Sequence, residues 1–133
     1  MVVEDNQADT HIIRMMLAKV LGEHHFDVLT DGKSALKFVA DHRSGALKPE
    51  PCVIVLDLHL PKHNGIEVLE GVRMAPALDH IQVVVISSAA TPTEIQRVEE
   101  LGAFYKEKPF DLREFEELAK FIAEVCRGKI TMA

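Results

Sequence analysis

Short apolar runs rich in valine and isoleucine alternate along this chain with segments of helical period. Two of the runs, residues 52–56 and 83–86, are apolar throughout, which is typical of central strands of a parallel sheet that are buried on both faces. Between the runs, apolar residues recur every three or four positions, as they do on one face of a helix. The alternation predicts an α/β fold of repeated βα units around a parallel sheet.

Local signals divide the chain into five predicted strands and the helices that follow them. The strands are predicted at residues 1–3, 26–29, 52–56, 83–86 and 104–105. The first of these is shorter than usual, so we expect the numbered chain to begin inside it. Gly22 is predicted to end the first helix, and residues 43–51 are predicted to form a loop. Thr91 to Glu94 and Asp111 to Glu114 have the spacing of capping boxes at the starts of the last two helices.

Length and charge limit the classes of partner. A chain of 133 residues suits one domain, predicted here at residues 1–126, followed by a short tail at residues 127–133. The 15 basic and 21 acidic residues give a net charge of −6, which disfavours binding to nucleic acid or to an anionic membrane surface. No apolar run approaches the ~20 residues of a membrane-spanning helix, and the first residues do not resemble a signal peptide. We therefore expect a cytoplasmic protein, with neither nucleic acid nor membrane among its partners.

The cysteines and two adjacent histidines receive plain structural interpretations. Cys52 and Cys126 are the two cysteines, and they lack metal-ligand spacing. Two free thiols in a reducing cytosol explain them better than a disulfide framework does. His24 and His25 are expected in a turn before the second strand rather than in a zinc site.

Chemically active side chains follow four of the predicted strands. They are Glu4 and Asp5 after the first strand, Asp57 after the third, Ser87 after the fourth and Lys108 after the fifth. Right-handed crossovers bring the carboxyl ends of parallel strands to one edge of a sheet, where open α/β sheets bind ligands. Crowded carboxylates repel one another and favour a hard divalent cation, and Mg²⁺ is the usual one beside phosphate. Each residue alone could be an ordinary turn residue, but the five together predict a site.

Such a site suits phosphoryl transfer, which depends on neutralising the charge of the phosphoryl oxygens. A carboxylate can itself accept the group as an aspartyl phosphate. Asp57 follows the most apolar central strand, so it is the predicted acceptor among the three carboxylates.

Four ordered motifs carry a family resemblance. They are residues 2–6 (VVEDN), 57–65 (DLHLPKHNG), 85–89 (VISSA) and 105–110 (YKEKPF). With these motifs the chain resembles a response-regulator receiver domain of two-component signalling, of the stand-alone, single-domain type. The resemblance implies a flavodoxin-like, doubly wound sheet of five parallel strands in the order 2-1-3-4-5 with five helices.

The resemblance also implies a metal site and a phosphoacceptor. The resemblance implies that a partner histidine kinase phosphorylates Asp57. Asp5, Asp57 and the backbone carbonyl of His59 then bind Mg²⁺, and Glu4 supports the metal indirectly. The implied class is a signalling domain rather than an enzyme with a separate substrate, although such domains can catalyse their own phosphorylation from small donors and their own dephosphorylation.

Three further positions take the family's phosphoryl-binding and switch roles. Lys108 contacts the phosphoryl group, Ser87 hydrogen-bonds to it, and Tyr105 changes orientation in step with Ser87. The short connection before Tyr105 and the charged pair after it predict a distorted fifth strand.

The implied partners are proteins. A sensor histidine kinase or phosphotransfer protein supplies the phosphoryl group, and a downstream target protein reads the state. The loop at residues 43–51, together with residues 60–62, bears a faint resemblance to receivers paired with phytochrome-like kinases. Phe121 lies off the apolar stripe of the last helix, which is compatible with a partner or homodimer contact and equally with simple packing.

Two rival functions stay open at this stage. A Mg²⁺-dependent phosphatase with an aspartyl nucleophile would use the same groups, but such enzymes generally carry a second Asp two positions after the nucleophile, where this chain has His59. A degenerate receiver that acts only as a binding module is the second rival. The presence of every required chemical group argues against it.

Overall fold

A computed structural model describes residues 1–43, 45 and 50–130. In this part of the chain five parallel strands form one sheet in the order β2-β1-β3-β4-β5, which confirms the predicted topology. The strands are β1 (Val2–Val3), β2 (Val28–Leu29), β3 (Val53–Asp57), β4 (Gln82–Ser87) and β5 (Phe104–Glu107). The helices are α1 (Gln7–Leu21), α2 (Gly32–Asp41), α3 (Gly65–Met74), α4 (Pro92–Glu100) and α5 (Leu112–Cys126).

The helices cover both faces of the sheet and form two apolar cores. On one face α1 and α5 pack over Val55 and Val84, and on the other α2, α3 and α4 pack over Leu56 and Val85. Consecutive residues of β3 therefore contribute to opposite cores, which explains why a central strand has to be apolar throughout. Within the described ranges, no helix has the length and apolar character needed to cross a membrane.

Several predicted helix ends are confirmed, and one predicted capping box is only half formed. Gly22 ends α1 with φ of 72°, a value that favours glycine. At α4 the Thr91 hydroxyl and the Glu94 carboxylate form both hydrogen bonds of a capping box. At α5 Asp111 caps the helix, but the Glu114 carboxylate accepts from the backbone N–H of Phe110, one residue before the cap. The second capping box is therefore half formed.

The outer strands differ in length from the prediction. β2 is limited to two residues, whereas β5 extends to Glu107 and pairs in regular parallel register, with Tyr105 opposite Val85. A regular ladder means that β5 is not distorted, despite the charged residues in its second half. The predicted loop at residues 43–51 and the predicted tail fall partly outside the described residues, because 44, 46–49 and 131–133 are not described.

The expectation of two free thiols is wrong. Cys52, just before β3, and Cys126, the last residue of α5, form a disulfide across 74 residues of sequence, with their Cα atoms 5.0 Å apart. That separation lies within the range that a disulfide can bridge. Folding of α5 across the sheet creates the proximity, which the spacing of the cysteines does not indicate.

One half-buried arginine ties α3 to the loops that flank β4 and β5. Its guanidinium donates to the carbonyls of Leu101 (2.7 Å), Gly102 (3.1 Å), Asp79 (3.0 Å) and Ile81 (2.9 Å). This residue is Arg73, and burial lowers the pKa of its guanidinium. The four hydrogen bonds fix where β4 and β5 start, and thereby where their carboxyl ends lie.

Candidate phosphoacceptor and metal site

Three carboxylates lie together at the carboxyl edge of the sheet. Oxygen atoms of Glu4, Asp5 and Asp57 all lie within 4.8 Å of one another. Glu4 and Asp57 are buried, at 1% and 3% exposure, whereas Asp5 faces solvent. The structure therefore brings together the acidic residues that the sequence placed at this edge.

The backbone explains this convergence. Glu4 follows β1, and its N–H donates to the carbonyl of Leu29 in β2. Asp57 is the last residue of β3 and pairs with Ile86 of β4. Gly65 then turns the chain so closely that a Cβ there would lie 2.8 Å from the Cα of Leu58 and would clash with the Asp57 carbonyl. Only glycine fits at this position, since any larger residue would displace the backbone of the acidic site.

Lys108 supplies the cation of the site. Its Nζ lies 2.7 Å from Glu4 Oε1, 3.1 Å from Asp57 Oδ2 and 3.5 Å from Asp9 Oδ2. The pKa of Lys108 is raised above its ordinary value by its hydrogen bonds to Glu4 and Asp57, although burial acts in the opposite direction. One ammonium thus faces several carboxylates, so the side chains alone leave this site short of positive charge.

The pKa and the hydrogen bonding of the Glu4 carboxyl group reflect this shortage of positive charge. Burial is the largest cause that raises its pKa, to about 8, and the neighbouring Asp57 adds to the rise, while Lys108 opposes it. Glu4 Oε2 is also buried, with no hydrogen-bond partner among the described residues. A buried carboxylate oxygen without a partner is rare and calls for an additional ligand or proton.

The residues fit a hard divalent cation. The cluster offers only oxygen donors, which Mg²⁺ prefers. Asp5 is exposed and gives the cation a route from solvent. Glu4, Asp5 and Asp57 are the side chains that would hold it or face it, and the backbone carbonyl of His59 follows Asp57 by two residues.

Ser87 and His59 face each other beside Asp57. Ser87 ends β4 and is buried at 1% exposure. Its Oγ lies 3.2 Å from Nδ1 of His59 and accepts from the N–H of Ala89 at 3.2 Å. The N–H of His59 in turn donates to Asp57 Oδ1 at 3.1 Å. The hydroxyl is therefore held on the same side of the sheet edge as the predicted acceptor.

Tyr105 lies behind Ser87 on β5. Its hydroxyl donates to the backbone carbonyl of Ser87 at 3.4 Å, and the ring packs against the core on the α4 side. Burial is the first cause that raises the pKa of its phenol. A movement of the Ser87 backbone would therefore break the contact that holds this ring.

Two site residues escaped the sequence reasoning. Asp9 lies in the first turn of α1, four residues after Asp5, and its Oδ2 lies 3.5 Å from Nζ of Lys108. Glu94 of α4 lies 3.5 Å from Nε2 of His59, so a chain of contacts runs from Ser87 through His59 to α4. No sequence signal pointed to this second contact.

Comparison with known proteins agrees with this geometry. The profile of the response regulator receiver domain family matches residues 1–120. The response regulator Rcp1 of Synechocystis sp. is 33% identical over 95 residues, which cover 71% of this chain and 65% of Rcp1. The chain thus spans just under two thirds of that relative. The probable methanogenesis regulatory protein FilR2 of Methanothrix harundinacea is 30% identical over 94% of this chain and 79% of its own length.

Solved structures give the same result. The phosphorylated cyanobacterial phytochrome response regulator RcpA has a TM-score of 0.83 and 31% identity, covering 98% of this chain and 94% of its own. The Mn²⁺-bound form of Rcp1 has a TM-score of 0.80 and 28% identity, covering 99% and 96%. A family profile over nearly the whole chain, the shared strand order and the acidic edge lead to one conclusion: the chain belongs to the response regulator receiver domains of two-component signalling.

Proposed function

We propose that this receiver accepts a phosphoryl group on Asp57 in a Mg²⁺-dependent reaction and thereby switches a protein-binding surface. The observation that carries the proposal is the cluster of Glu4, Asp5 and Asp57 with Lys108 Nζ 3.1 Å from Asp57 Oδ2. Two similar proteins support it, since RcpA has been solved in phosphorylated form and Rcp1 with Mn²⁺.

We further propose that the phosphoryl donor is a sensor histidine kinase of the phytochrome type, or a phosphotransfer protein that it charges. RcpA is a phytochrome response regulator and RtBRR a bacteriophytochrome response regulator, and they are 31% and 32% identical to this chain. A downstream protein that binds the phosphorylated and unphosphorylated receiver with different affinity would receive the signal.

Each residue of the site has a separate role in the transfer of the phosphoryl group. A carboxylate oxygen of Asp57 attacks the phosphorus, the bond from phosphorus to the donor's nitrogen or oxygen breaks, and the donor leaves with the bonding electrons. Lys108 neutralises charge on the phosphoryl oxygens, a contribution that dominates phosphoryl transfer. Asp5, Asp57 and the backbone carbonyl of His59 would hold the cation, with Glu4 supporting it indirectly, and the bound cation would supply further positive charge. Burial of Asp57 keeps bulk water from the acyl phosphate.

Phosphorylation would then redirect Ser87. The phosphoryl group adds up to two negative charges and new acceptor oxygens, so the Ser87 hydroxyl leaves His59 and donates to it. In the structure, before phosphorylation, the Tyr105 hydroxyl donates to the backbone carbonyl of Ser87. The N–H of Lys108 donates to that same carbonyl at 2.9 Å. Movement of Ser87 therefore reaches β5 and the start of α5, whose surface changes its affinity for a partner.

A small phosphodonor separates this function from its rivals. With acetyl phosphate and Mg²⁺ we expect the intact protein to gain the mass of one phosphoryl group, and we expect no gain for Asp57→Asn. Steady release of phosphate from p-nitrophenyl phosphate without an adduct would instead indicate a phosphatase. Neither adduct nor turnover would indicate a degenerate receiver.

The metal role of Asp5 has its own test. Asp5→Asn should weaken Mg²⁺ binding in a titration and slow phosphorylation in parallel, because one anionic ligand is lost. Asp41→Asn, which changes an exposed carboxylate on α2, is the matched control and should behave like the wild type. Equal Mg²⁺ affinity in all three proteins would contradict the site.

The switch role of Ser87 is tested by NMR. Ser87→Ala should still be phosphorylated, though more slowly, and should lose most of the chemical-shift change at residues 103–111. Ser88→Ala, at the exposed neighbouring position, should keep that change. A full response in Ser87→Ala would exclude this coupling even if Asp57 is the acceptor.

A further inference from the structure

The edge of the sheet opposite the acidic site carries a disulfide that the phosphorylation chemistry does not use. Cys52 precedes β3, and Asp57 ends the same strand, so the two residues are about 16 Å apart along an extended chain. Cys126 closes α5. The bond therefore ties the last turn of α5 to the sheet at the end away from the site.

This bond is accessible to a thiol reagent. Cys52 is exposed and Cys126 is half-buried. Both cysteines line a cavity of about 180 Å³ that also contacts Leu21 and His24. Exposed disulfides are generally the labile and regulatory ones, whereas structural disulfides are protected.

The same cavity is lined by His24, whose ring nitrogen can act as a base. Nδ1 of His24 lies 2.7 Å from the carbonyl oxygen of Gly22. A carbonyl oxygen only accepts hydrogen bonds, so Nδ1 bears the proton and Nε2 of the neutral ring has a free lone pair. Nε2 is buried and has no hydrogen-bond partner within residues 1–43, 45 and 50–130. A thiol of the reduced pair is the weak donor that the cavity can offer to it.

Noncovalent contacts also hold the end of α5 in place. The last two turns of α5 bury Ile122 and Val125, and the carbonyl of Ala123 accepts from the N–H of Arg127. The Arg127 guanidinium also donates to the carbonyl of Val20 at the end of α1. These contacts hold α5 on the sheet after reduction, while its end gains freedom.

We propose that Cys52 and Cys126 form a reversible thiol–disulfide switch, with His24 as the base, which fastens or releases the end of α5. The reaction partner is a small dithiol or a dithiol oxidoreductase. In the reducing direction its thiolate attacks the Cys52 sulfur, the Cys52–Cys126 bond breaks, and Cys126 leaves as a thiolate that takes up a proton. The partner's second thiol then displaces Cys52, so two electrons and two protons pass to the protein and the partner becomes a disulfide.

In the oxidising direction the steps run in reverse. Nε2 of His24 accepts the proton of a cysteine thiol, and the resulting thiolate attacks the mixed disulfide at the other cysteine. The partner's thiolate leaves and is protonated. His24 accelerates this step because a thiolate and not a thiol is the nucleophile, and in the reducing direction the same ring returns the proton to the leaving thiolate.

The first test counts thiols along a redox titration. The whole chain is equilibrated with mixtures of oxidised and reduced dithiothreitol, quenched with acid, alkylated with N-ethylmaleimide and weighed by mass spectrometry. We expect a single transition between no adduct and two adducts. Two adducts at every ratio, or a dominant species with one adduct, would overturn the switch.

The second test asks whether the bond controls α5. Hydrogen exchange at residues 122–129 should be slower in the oxidised protein than in the reduced one. Cys52→Ser and Cys126→Ser should exchange as the reduced wild type does under either condition, and circular dichroism confirms that they fold. Equal exchange in the oxidised and reduced wild type would refute control of the helix end.

The third test addresses His24. His24→Gln should be oxidised more slowly by oxidised dithiothreitol while still reaching zero adducts, whereas His25→Gln, at the exposed neighbouring position, should match the wild type. An unchanged rate in His24→Gln would overturn the role of the base. Phosphorylation of Cys52→Ser by acetyl phosphate should stay normal, since Asp57 lies at the other end of β3.

Discussion

Replacing Lys108 with methionine removes the cation that the buried carboxylates share. Its Nζ lies 2.7 Å from Glu4 and 3.1 Å from Asp57. At an effective dielectric constant of about 20, those distances correspond to attractions of about 6 and 5 kcal/mol, before the cost of desolvating the ions. Removing one partner of a buried ion pair costs about 3–5 kcal/mol in practice.

The low end of that range applies at this site. Glu4, whose pKa is raised to about 8, limits the loss because it is largely protonated near pH 7 and leaves little unpaired charge when Lys108 is removed. Lys108 is also 19% exposed, which allows some screening by solvent. We therefore expect Lys108→Met to lower the free energy of unfolding by about 3 kcal/mol near pH 7 in EDTA.

Urea denaturation with and without Mg²⁺ is the assay. Saturating Mg²⁺ should stabilise Lys108→Met more than the wild type, because the divalent cation replaces the missing charge among the same carboxylates. Lys33→Met, at an exposed position of α2, should stay within about 0.5 kcal/mol of the wild type. Equal stability of Lys108→Met and the wild type in EDTA, or equal stabilisation of both by Mg²⁺, would refute the reasoning.

Three further changes have defined outcomes. Arg73→Met should lower the free energy of unfolding, measured by urea denaturation, by about 3 kcal/mol, because four carbonyls lose a charged donor. The control Arg113→Met, at a side chain that is 88% exposed, should change it by less than about 0.5 kcal/mol. Glu4 keeps a proton in the folded state, whereas the unfolded chain loses it above the ordinary pKa of 4.5. Without Mg²⁺, the free energy of unfolding of the wild type relative to Glu4→Gln should therefore fall between pH 4.5 and 8, by up to about 1.4 kcal/mol per pH unit. A constant difference in urea titrations would contradict this. Cys126→Ser should be about 4 kcal/mol less stable than the oxidised wild type, since the disulfide closes a loop of 74 residues, and reductant should abolish the difference.

The fold and the acidic edge were predictable for the same physical reason. A strand buried on both faces has to be apolar throughout, as residues 53–56 are, and such strands with intervening helices favour one parallel arrangement. All strands then point the same way, so residues far apart in sequence, such as Glu4 and Lys108, meet at one edge. Backbone topology alone brings these groups together.

Contacts that depend on side-chain packing could not be predicted in this way. The His59 ring reaches Ser87 and Glu94 only because the loop after β3 lies beside the start of α4. The disulfide could not be predicted from the spacing of the cysteines, because only the path of α5 across the sheet brings Cys126 to Cys52. The capping box at Asp111 failed by one residue, since a glutamate side chain can reach either of two adjacent N–H groups.

Locating the phosphoryl group tests the central claim most directly. The wild type, incubated with acetyl phosphate and Mg²⁺, is digested under acidic conditions and the phosphorylated peptide is sequenced by mass spectrometry. The group should lie on Asp57, and the adduct should be absent in Asp57→Asn and strongly reduced in EDTA. A phosphoryl group on Glu4, Asp5 or any other residue, or an adduct that persists in Asp57→Asn, would contradict the assignment.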